Sequence, residues 1–385
     1  MAENGLDGPV ALVSDTGEFA GAELYASVLV ETLRERCRFI AFLGDNAAEE
    51  TRARLRAAGA DVRIVDGLRR RPSPAPVARL ARELRAARPA LVHANLSDQG
   101  DGLAALGAGL ASRRPLLATL HLVLPNRAGF REFVSLQALR RFEMVIGVSH
   151  AVGRYLGEGD IGAVVVRNGL PPTPPAPDAR SALGLDGARL AIGGVGRLHE
   201  QKGWDVLCRA AAIVRRERPE AEFTVIGAGP ERESLSELEE CAEVRFVGYR
   251  ERAAALIPAF DILAVPSRYE GLGLTPLEGL FQGVPVVASN IEGLAEVLGD
   301  CALLVPPDNP EALAKAILRV AGDPGLRADL AERGRCRARE LFSAERMADE
   351  TYLVYQAVSG GPAEGAATLR AMGAHGALDQ PAGRR

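Results

Sequence analysis

The chain has 385 residues, long enough for two cored domains, and its 47% apolar and 25% charged content is that of an ordinary water-soluble protein. A formal net charge of −4 excludes the basic surface of a nucleic-acid binder, so no nucleic-acid partner is expected. Residues 1–170 carry 22 Lys+Arg against 19 Asp+Glu and the remainder 24 against 31, a mild asymmetry that suits an anionic acceptor or a membrane surface near the first half.

Short apolar runs alternate with stretches of helical period, the pattern of an α/β protein with parallel sheets. In the first half the expected strands are 9–15, 38–44, 61–65, 90–95, 115–121, 144–149 and 163–168, with helical segments such as 21–36 between them. Residues 169–179 hold five prolines in eleven positions; fixed φ angles and missing donors predict an extended linker there. A second series of strands follows at 189–196, 222–229, 244–249, 262–267, 284–289 and 301–306. The segment 343–358 reads as a helix capped by Ser343, and the Gly/Ala-rich tail 359–385 as disordered. The expected domains are therefore 1–170 and 171–342, two Rossmann-like halves with a cleft between them, followed by the helix 343–358.

The five cysteines, Cys37, Cys208, Cys241, Cys301 and Cys336, show no CxxC or metal-ligand spacing. Neither a disulfide nor zinc is expected, and a reducing cytoplasm fits. The start "MAENGLDGPV" lacks a signal peptide's pattern, and no apolar run approaches the roughly 20 residues that span a bilayer. The expected location is the cytoplasm, with peripheral contact at the inner membrane face left open.

Three strand-to-helix turns could carry chemistry. The first, "TGEFAGAEL", places Gly21 where backbone N–H groups can approach a phosphate or sugar, or where a βα turn is merely tight. In the second, "GRLHEQKGW", Arg197 stands just past a strand end and Lys202 precedes a helix whose apolar face is Val206, Leu207, Ala210, Ala211, Ile213 and Val214. Only two of the 46 basic residues are lysine, Lys202 and Lys315. A cation at a helix N-terminus is disfavoured by about 0.3–1 kcal/mol unless an anion lies between. Lys202 is thus either a surface residue or, with Arg197, a diphosphate ligand whose compact charge reaches a single oxygen.

The third turn is "SRYEGLGLTPLEGLF", where Gly271, Gly273 and Gly279 surround Glu270 and Glu278. Thr275-Pro276-Leu277-Glu278 reads as a capping box, so Glu278 either reaches back to the cap or, with Glu270, grips hydroxyl groups. His121 and His93, ending the strands "PLLATLH" and "LVHAN", are either structural or site residues. Arg69–Arg71 and Arg140–Arg141 read as solvated faces, or as contacts to an anionic acceptor or lipid head group.

Together these motifs resemble the retaining glycosyltransferases of family 4, which have the GT-B fold. The resemblance runs from about Val10 to about Tyr355. Its most specific part is the E-x7-E pattern Glu270–Glu278 followed by "GVPVVAS", with "GRLHEQKG", "VIGAGPERESL", "VRFVGY", "VSHAV", "VVVRNG" and "GLAEVL" in support. It implies that Arg197 and Lys202 bind the donor diphosphate, that Glu278 holds the ribose, and that Glu270 holds the transferred sugar. The backbone at Gly271, Gly273, Leu274 and Thr275 would meet phosphate or sugar, Val247 and Tyr249 would lie by the base, and Gly21 and His121 would serve the donor from the first domain. Family members often have Gly-Gly where Ala20-Gly21 stands, His-Asp where His121-Leu122 stands, and a β-branched residue and Asp after Asn-Gly, where "NGLPP" stands.

The implied activity is metal-free transfer of a hexosyl or N-acetylhexosaminyl unit from a UDP- or GDP-sugar to a small-molecule, glycan or lipid-linked acceptor, with retention. No metal or other cofactor is expected. Two competing readings are a catalytically silent sugar-nucleotide-binding subunit and an NAD-dependent oxidoreductase. The oxidoreductase lacks the GxGxxG turn after the first strand.

Overall fold

The computed structural model describes residues 6–69, 73–125, 130–360, 369, 371 and 372. Arg70, Arg71 and nearly all of the expected tail lie outside them. The chain divides into two compact units, one running to Gly169 and including the helix Ala344–Ser359, the other Leu170–Ser343.

The first unit is built on β1 (Val10–Ser14), β2 (Phe39–Gly44), β3 (Asp61–Val65), β4 (Leu91–Leu96), β5 (Leu116–Leu120), β6 (Met144–Gly147) and β7 (Ala163–Val165). These form one parallel sheet in the order β3-β2-β1-β4-β5-β6-β7. Every residue of β1, β2, β4 and β5 is buried, as near-continuous apolar runs require when helices cover both sheet faces. The helix Ala344–Ser359 packs against the helix Gly21–Leu33 of this unit, where the Arg36 guanidinium pairs with Asp349 and lies 3.9 Å from the Tyr352 ring centre.

The second unit contains β8 (Leu190–Val195), β9 (Ala221–Ile226), β10 (Val244–Phe246), β11 (Ile262–Val265), β12 (Val286–Ser289) and β13 (Ala302–Val305), parallel in the order β10-β9-β8-β11-β12-β13. All thirteen expected strands are present. In both sheets the order reverses once, between β1 and β4 and between β8 and β11. The connections leaving those two strands diverge and open a crevice at their carboxyl ends, where doubly wound sheets bind ligands. Val206, Leu207, Ala210, Ala211 and Val214 of the helix Trp204–Glu217 bury their side chains in the core with Phe223, Ile262 and Val287, and Ile213 packs at its edge.

One expectation is overturned here. Cys208 and Cys241, 33 residues apart, form a disulfide with their Cα atoms 4.7 Å apart. Helix Trp204–Glu217 packs directly on the 3-10 turn Glu239–Glu243, a tertiary contact that sequence spacing does not reveal. The spacing argument for a reducing environment therefore loses its basis. Cys37 and Cys301 are buried thiols, and Cys336 is an exposed one.

Candidate functional site

In the second unit, β8 ends at Val195 and the chain passes through exposed Arg197 into a 3-10 turn, Glu200–Lys202. His199 starts that turn, its Nδ1 accepting from the Gln201 backbone N–H at 3.1 Å. The buried Trp204 indole donates to the Arg197 carbonyl at 2.8 Å and closes the loop. Gly203 joins the 3-10 turn to the helix with φ +66°, and a Cβ there would fall 2.2 Å from the Pro266 carbonyl oxygen. Only glycine fits a left-handed backbone pressed this closely against another strand's end.

The facing loop follows β11. Lys202 Nζ donates to Glu270 Oε1 at 2.5 Å, and Ser267 Oγ donates to the same oxygen at 2.9 Å. Gln201 Nε2 donates to the Tyr269 carbonyl at 3.0 Å and approaches Glu270 Oε2 at 3.4 Å. The Glu270 side chain is only 9% exposed and that of Lys202 20%. Arg268 binds the two loops from behind: Nη1 donates to the Glu200 carbonyl, Nη2 to Asp205 and Nε to Asp308, at 2.7–2.9 Å. Burial pushes the Asp205 carboxyl up, but the hydrogen bond and charge of Arg268 outweigh it and hold the group below its ordinary range.

The expected capping box is corrected. The helix runs Leu274–Gln282 with Gly273 as its cap residue, at φ +92°, so Thr275 lies inside the first turn and Glu278 in the second. The glycine turn lets the helix begin one residue before Thr275, and Glu278 sits too far along to answer the cap. The leading N–H groups of this helix and of Trp204–Glu217 are those that a helix leaves without intrahelical acceptors, which suits an anion. Gly271 and Gly273 are buried, and Leu274, Thr275 and Glu278 are half-buried. Val247 and Tyr249 follow β10, Val247 donating its N–H to the Val225 carbonyl at 3.0 Å, with Tyr249 55% exposed.

In the first unit, the turn after β1 leads to exposed Gly21, the first residue of its helix. Glu23 reaches back to the Ala20 N–H at 3.0 Å and accepts from Thr16 Oγ1; burial raises its pKa against the pull of these bonds. His121 follows β5 and is 9% exposed, with Nε2 2.9 Å from Asn95 Oδ1 and its ring edge-on to Tyr25 at a 4.7 Å centroid distance. His93 is fully buried between the Tyr355 hydroxyl and Thr119 Oγ1, each at 2.8 Å. Burial pushes both imidazoles down to about 3, with the neighbouring His93 also lowering His121. Arg69 is committed to Asp45, whose carboxyl it holds well below the carboxylate range.

Sequence reasoning singled out Arg197, Lys202, Glu270 and His121 but missed Arg268, Gln201, Ser267 and Asn95. The only signal for Asn95 was its placement two residues after His93, on the same sheet face. Among the described residues, no three His, Cys, Asp or Glu side chains converge as a metal site, and no helix is long and apolar enough to cross a membrane.

Two doubly wound parallel units, one with a Lys202–Glu270 pair at its switch point, place the chain in the class of α/β proteins that bind ligands at the carboxyl ends of their strands. Residues 19–173 match the family Glycosyltransferase Family 4, and residues 189–323 match Glycosyl transferases group 1. A lipopolysaccharide core biosynthesis mannosyltransferase of Rhizobium meliloti is 30% identical over 239 residues, covering 57% of this chain and 67% of that protein. A D-inositol 3-phosphate glycosyltransferase of Corynebacterium urealyticum is 35% identical, covering 49% and 48%. The chain spans about half the length of several of the curated relatives it matches. Anabaena HepE, solved with UDP and glucose, superposes with a TM-score of 0.78 at 21% identity, covering 90% of this chain and 98% of that one. Sucrose-phosphate synthase from Thermosynechococcus elongatus gives 0.75 at 23% identity, covering 91% and 98%. The chain belongs to the family 4, group 1 glycosyltransferases, has the GT-B fold and is a transferase enzyme. That membership sets the oxidoreductase reading aside.

Proposed function

We propose that this enzyme transfers a hexosyl or N-acetylhexosaminyl unit from a UDP- or GDP-sugar to a hydroxyl of a small-molecule, glycan or lipid-linked acceptor, with retention and without a metal. The observation that carries this reading is the Lys202–Glu270 pair at the β8/β11 switch point, beside the N-termini of the helices Trp204–Glu217 and Leu274–Gln282. An ammonium has three donors and Glu270 takes one, so two are left for phosphate oxygens. Arg197, Lys202 and the N–H groups at Gly273, Leu274 and Thr275 receive the diphosphate. Glu270 and Glu278 take sugar and ribose hydroxyls, because carboxylates repel phosphate. Val247 and Tyr249 meet the base, and Gly21 and His121 keep the donor-side roles that the family resemblance implies for them.

In the reaction the anomeric carbon–phosphate oxygen bond breaks and a bond to the acceptor oxygen forms on the same face. The departing phosphate takes the acceptor's proton, and fixed positive groups stabilise its growing charge. The place of work is the cytoplasm or the inner face of the membrane, the latter for a lipid-linked acceptor; a Cys208–Cys241 disulfide that persists there is an exception to the reduced state of most cytosolic thiols.

The test is a thermal-shift and hydrolysis series with UDP-glucose, UDP-N-acetylglucosamine and GDP-mannose, each with and without EDTA. One donor is expected to raise Tm and to be slowly hydrolysed equally in both conditions. Loss of turnover in EDTA would remove the metal-free mechanism. Binding without hydrolysis or transfer to any acceptor would favour a silent subunit.

A further inference from the structure

In the first unit, His121 belongs to a buried polar arrangement that extends beyond the imidazole itself. Alternate residues of neighbouring strands point to one face of the sheet, and here His93 and Asn95 of β4 share that face with Thr119 and His121 at the end of β5. Two similar rungs result. His93 Nε2 lies 2.8 Å from Thr119 Oγ1, and Asn95 Oδ1 lies 2.9 Å from His121 Nε2. The second rung has an extension, because Asn95 Nδ2 donates to the Ala22 carbonyl at 3.0 Å. Asn95 itself is 1% exposed.

That extension fixes the direction of the bonds in the second rung. A carbonyl can only accept, so the amide nitrogen of Asn95 must face Ala22 and its oxygen must face His121. The oxygen in turn accepts, so His121 Nε2 carries the hydrogen; burial keeps the ring neutral, and in a neutral ring Nδ1 then holds the lone pair. One buried carboxamide thus joins the helix opened by Gly21 to the imidazole after β5, two elements 100 positions apart that sequence reasoning assigned separately. His121 cannot turn its ring without leaving Asn95 unpaired in the interior, and Tyr25 blocks one side of the ring.

We propose that Asn95 is a positioning residue for His121: its carboxamide holds the imidazole as the neutral Nε2–H tautomer and fixes it relative to the Gly21 turn. The role for His121 in transfer rests on the proposed function; the hold of Asn95 on its tautomer does not. His121 then presents an acceptor nitrogen, suited to a sugar hydroxyl, and does not act as a proton donor to the leaving group. The titratable neighbours that face it are Tyr25 on the helix Gly21–Leu33, His93 on β4 and, beyond His93, Tyr355 on the helix Ala344–Ser359.

The test combines nitrogen-15 histidine NMR of the whole protein with turnover of UDP-glucose and GDP-mannose. In the wild type at pH 7, His121 is expected to show the neutral Nε2–H pattern. Asn95→Asp places a carboxylate against the ring and is expected to convert it to imidazolium at the same pH. Asn95→Ala is expected to lower kcat by about 10- to 100-fold with little change in donor KM, the effect of a mispositioned group. The same substitution in a His121→Ala background is expected to cost nothing further. A wild-type Nδ1–H or charged ring overturns the proposal, as do unchanged His121 signals in both Asn95 variants or a full additional loss in the double variant. Normal turnover by His121→Ala alone would instead remove the catalytic role of His121, and the NMR result would still decide the hold of Asn95.

Discussion

Lys202 Nζ lies 2.5 Å from Glu270 Oε1, and Ser267 Oγ donates to the same oxygen at 2.9 Å. The pair answers the electrostatic objection to a cation ahead of a helix N-terminus. A carboxylate from the neighbouring loop supplies the compensating charge before any substrate arrives. It also holds the lysine stem in one place, which a flexible four-carbon chain would not otherwise keep. Lys202→Ala is expected to lower transfer by about 100- to 1000-fold, the cost of removing one charge-stabilising donor. Stability should fall by only about 1–3 kcal/mol, because Ser267 remains bonded to Glu270 and Gln201 lies close by. Lys202→Arg keeps the charge but replaces a point donor with a planar fork, and should recover only part of the loss. Steady-state kinetics with a matched urea titration check this; wild-type turnover by Lys202→Ala removes the diphosphate assignment.

The two loops are joined by the Arg268 backbone N–H donating to the Gln201 carbonyl at 2.8 Å, and Gly203 lets them approach closely beside that bond. The Gly203 φ of +66° costs a side-chain-bearing residue about 1–2 kcal/mol, and a Cβ would fall 2.2 Å from the Pro266 carbonyl oxygen. Relief requires the Lys202 loop to move away from the loop that carries Glu270. Gly203→Ala is therefore expected to destabilise by roughly 3 kcal/mol or more and to weaken nucleotide-sugar binding along with it. Thermal unfolding with and without UDP-glucose and GDP-mannose measures both effects. A variant with the Tm and ligand shift of the wild type would show that this close approach does not constrain the site.

The two imidazoles of the first unit set an acid limit on stability. Each ordinarily titrates near 6.5, and burial lowers the folded value to about 3. Between those values the unfolded chain binds a proton that the folded chain refuses. The stabilisation present above pH 6.5 is therefore lost as pH falls toward 3, by about 1.4 kcal/mol per pH unit for each histidine. Urea unfolding from pH 7.5 to pH 4.5 should show this slope. His93→Asn should reduce the slope by about one histidine's share, whatever it does to stability at pH 7.5. An unchanged slope would mean that His93 is protonated in the folded state.

Much of this was legible in the sequence, and for identifiable reasons. Buried parallel strands are continuous apolar runs, so each of the thirteen could be placed from local composition. Lys202 stood out because the chain almost everywhere else uses arginine, and its position ahead of a helix posed an electrostatic question that needed an anion. What stayed hidden depends on tertiary contact. Arg268 reads as one more surface arginine until its three donors are seen joining residues 200, 205 and 308. Thr275 looked like a helix cap because Thr-Pro-Leu-Glu is a common cap pattern, but the left-handed Gly273 moved the helix start forward. Asn95 carries no motif at all; its meaning appears only with the carbonyl of Ala22 on one side and His121 on the other.

The cysteine pair is the clearest case of a contact that spacing could not show, and it makes a chemical prediction. Cys208 is fully buried and Cys241 is 5% exposed, so neither was a candidate for reactivity by position. Their bond ties the helix that follows Lys202 to the turn that precedes β10, the strand leading to Val247 and Tyr249. With the bond intact, a thiol reagent should find one reactive group in the folded protein, the exposed Cys336. Unfolding without reductant should reveal three thiols, adding Cys37 and Cys301, and reduction should raise the number to the five in the sequence. Cross-linking residues 33 positions apart restricts the unfolded chain, so reduction or Cys208→Ser should destabilise by about 2–4 kcal/mol. If five thiols appear on unfolding without reductant, the two sulfurs are neighbours in the core and no bond joins them in solution. The stability loss on adding dithiothreitol should then vanish, while Cys208→Ser would still cost whatever its packing supplies.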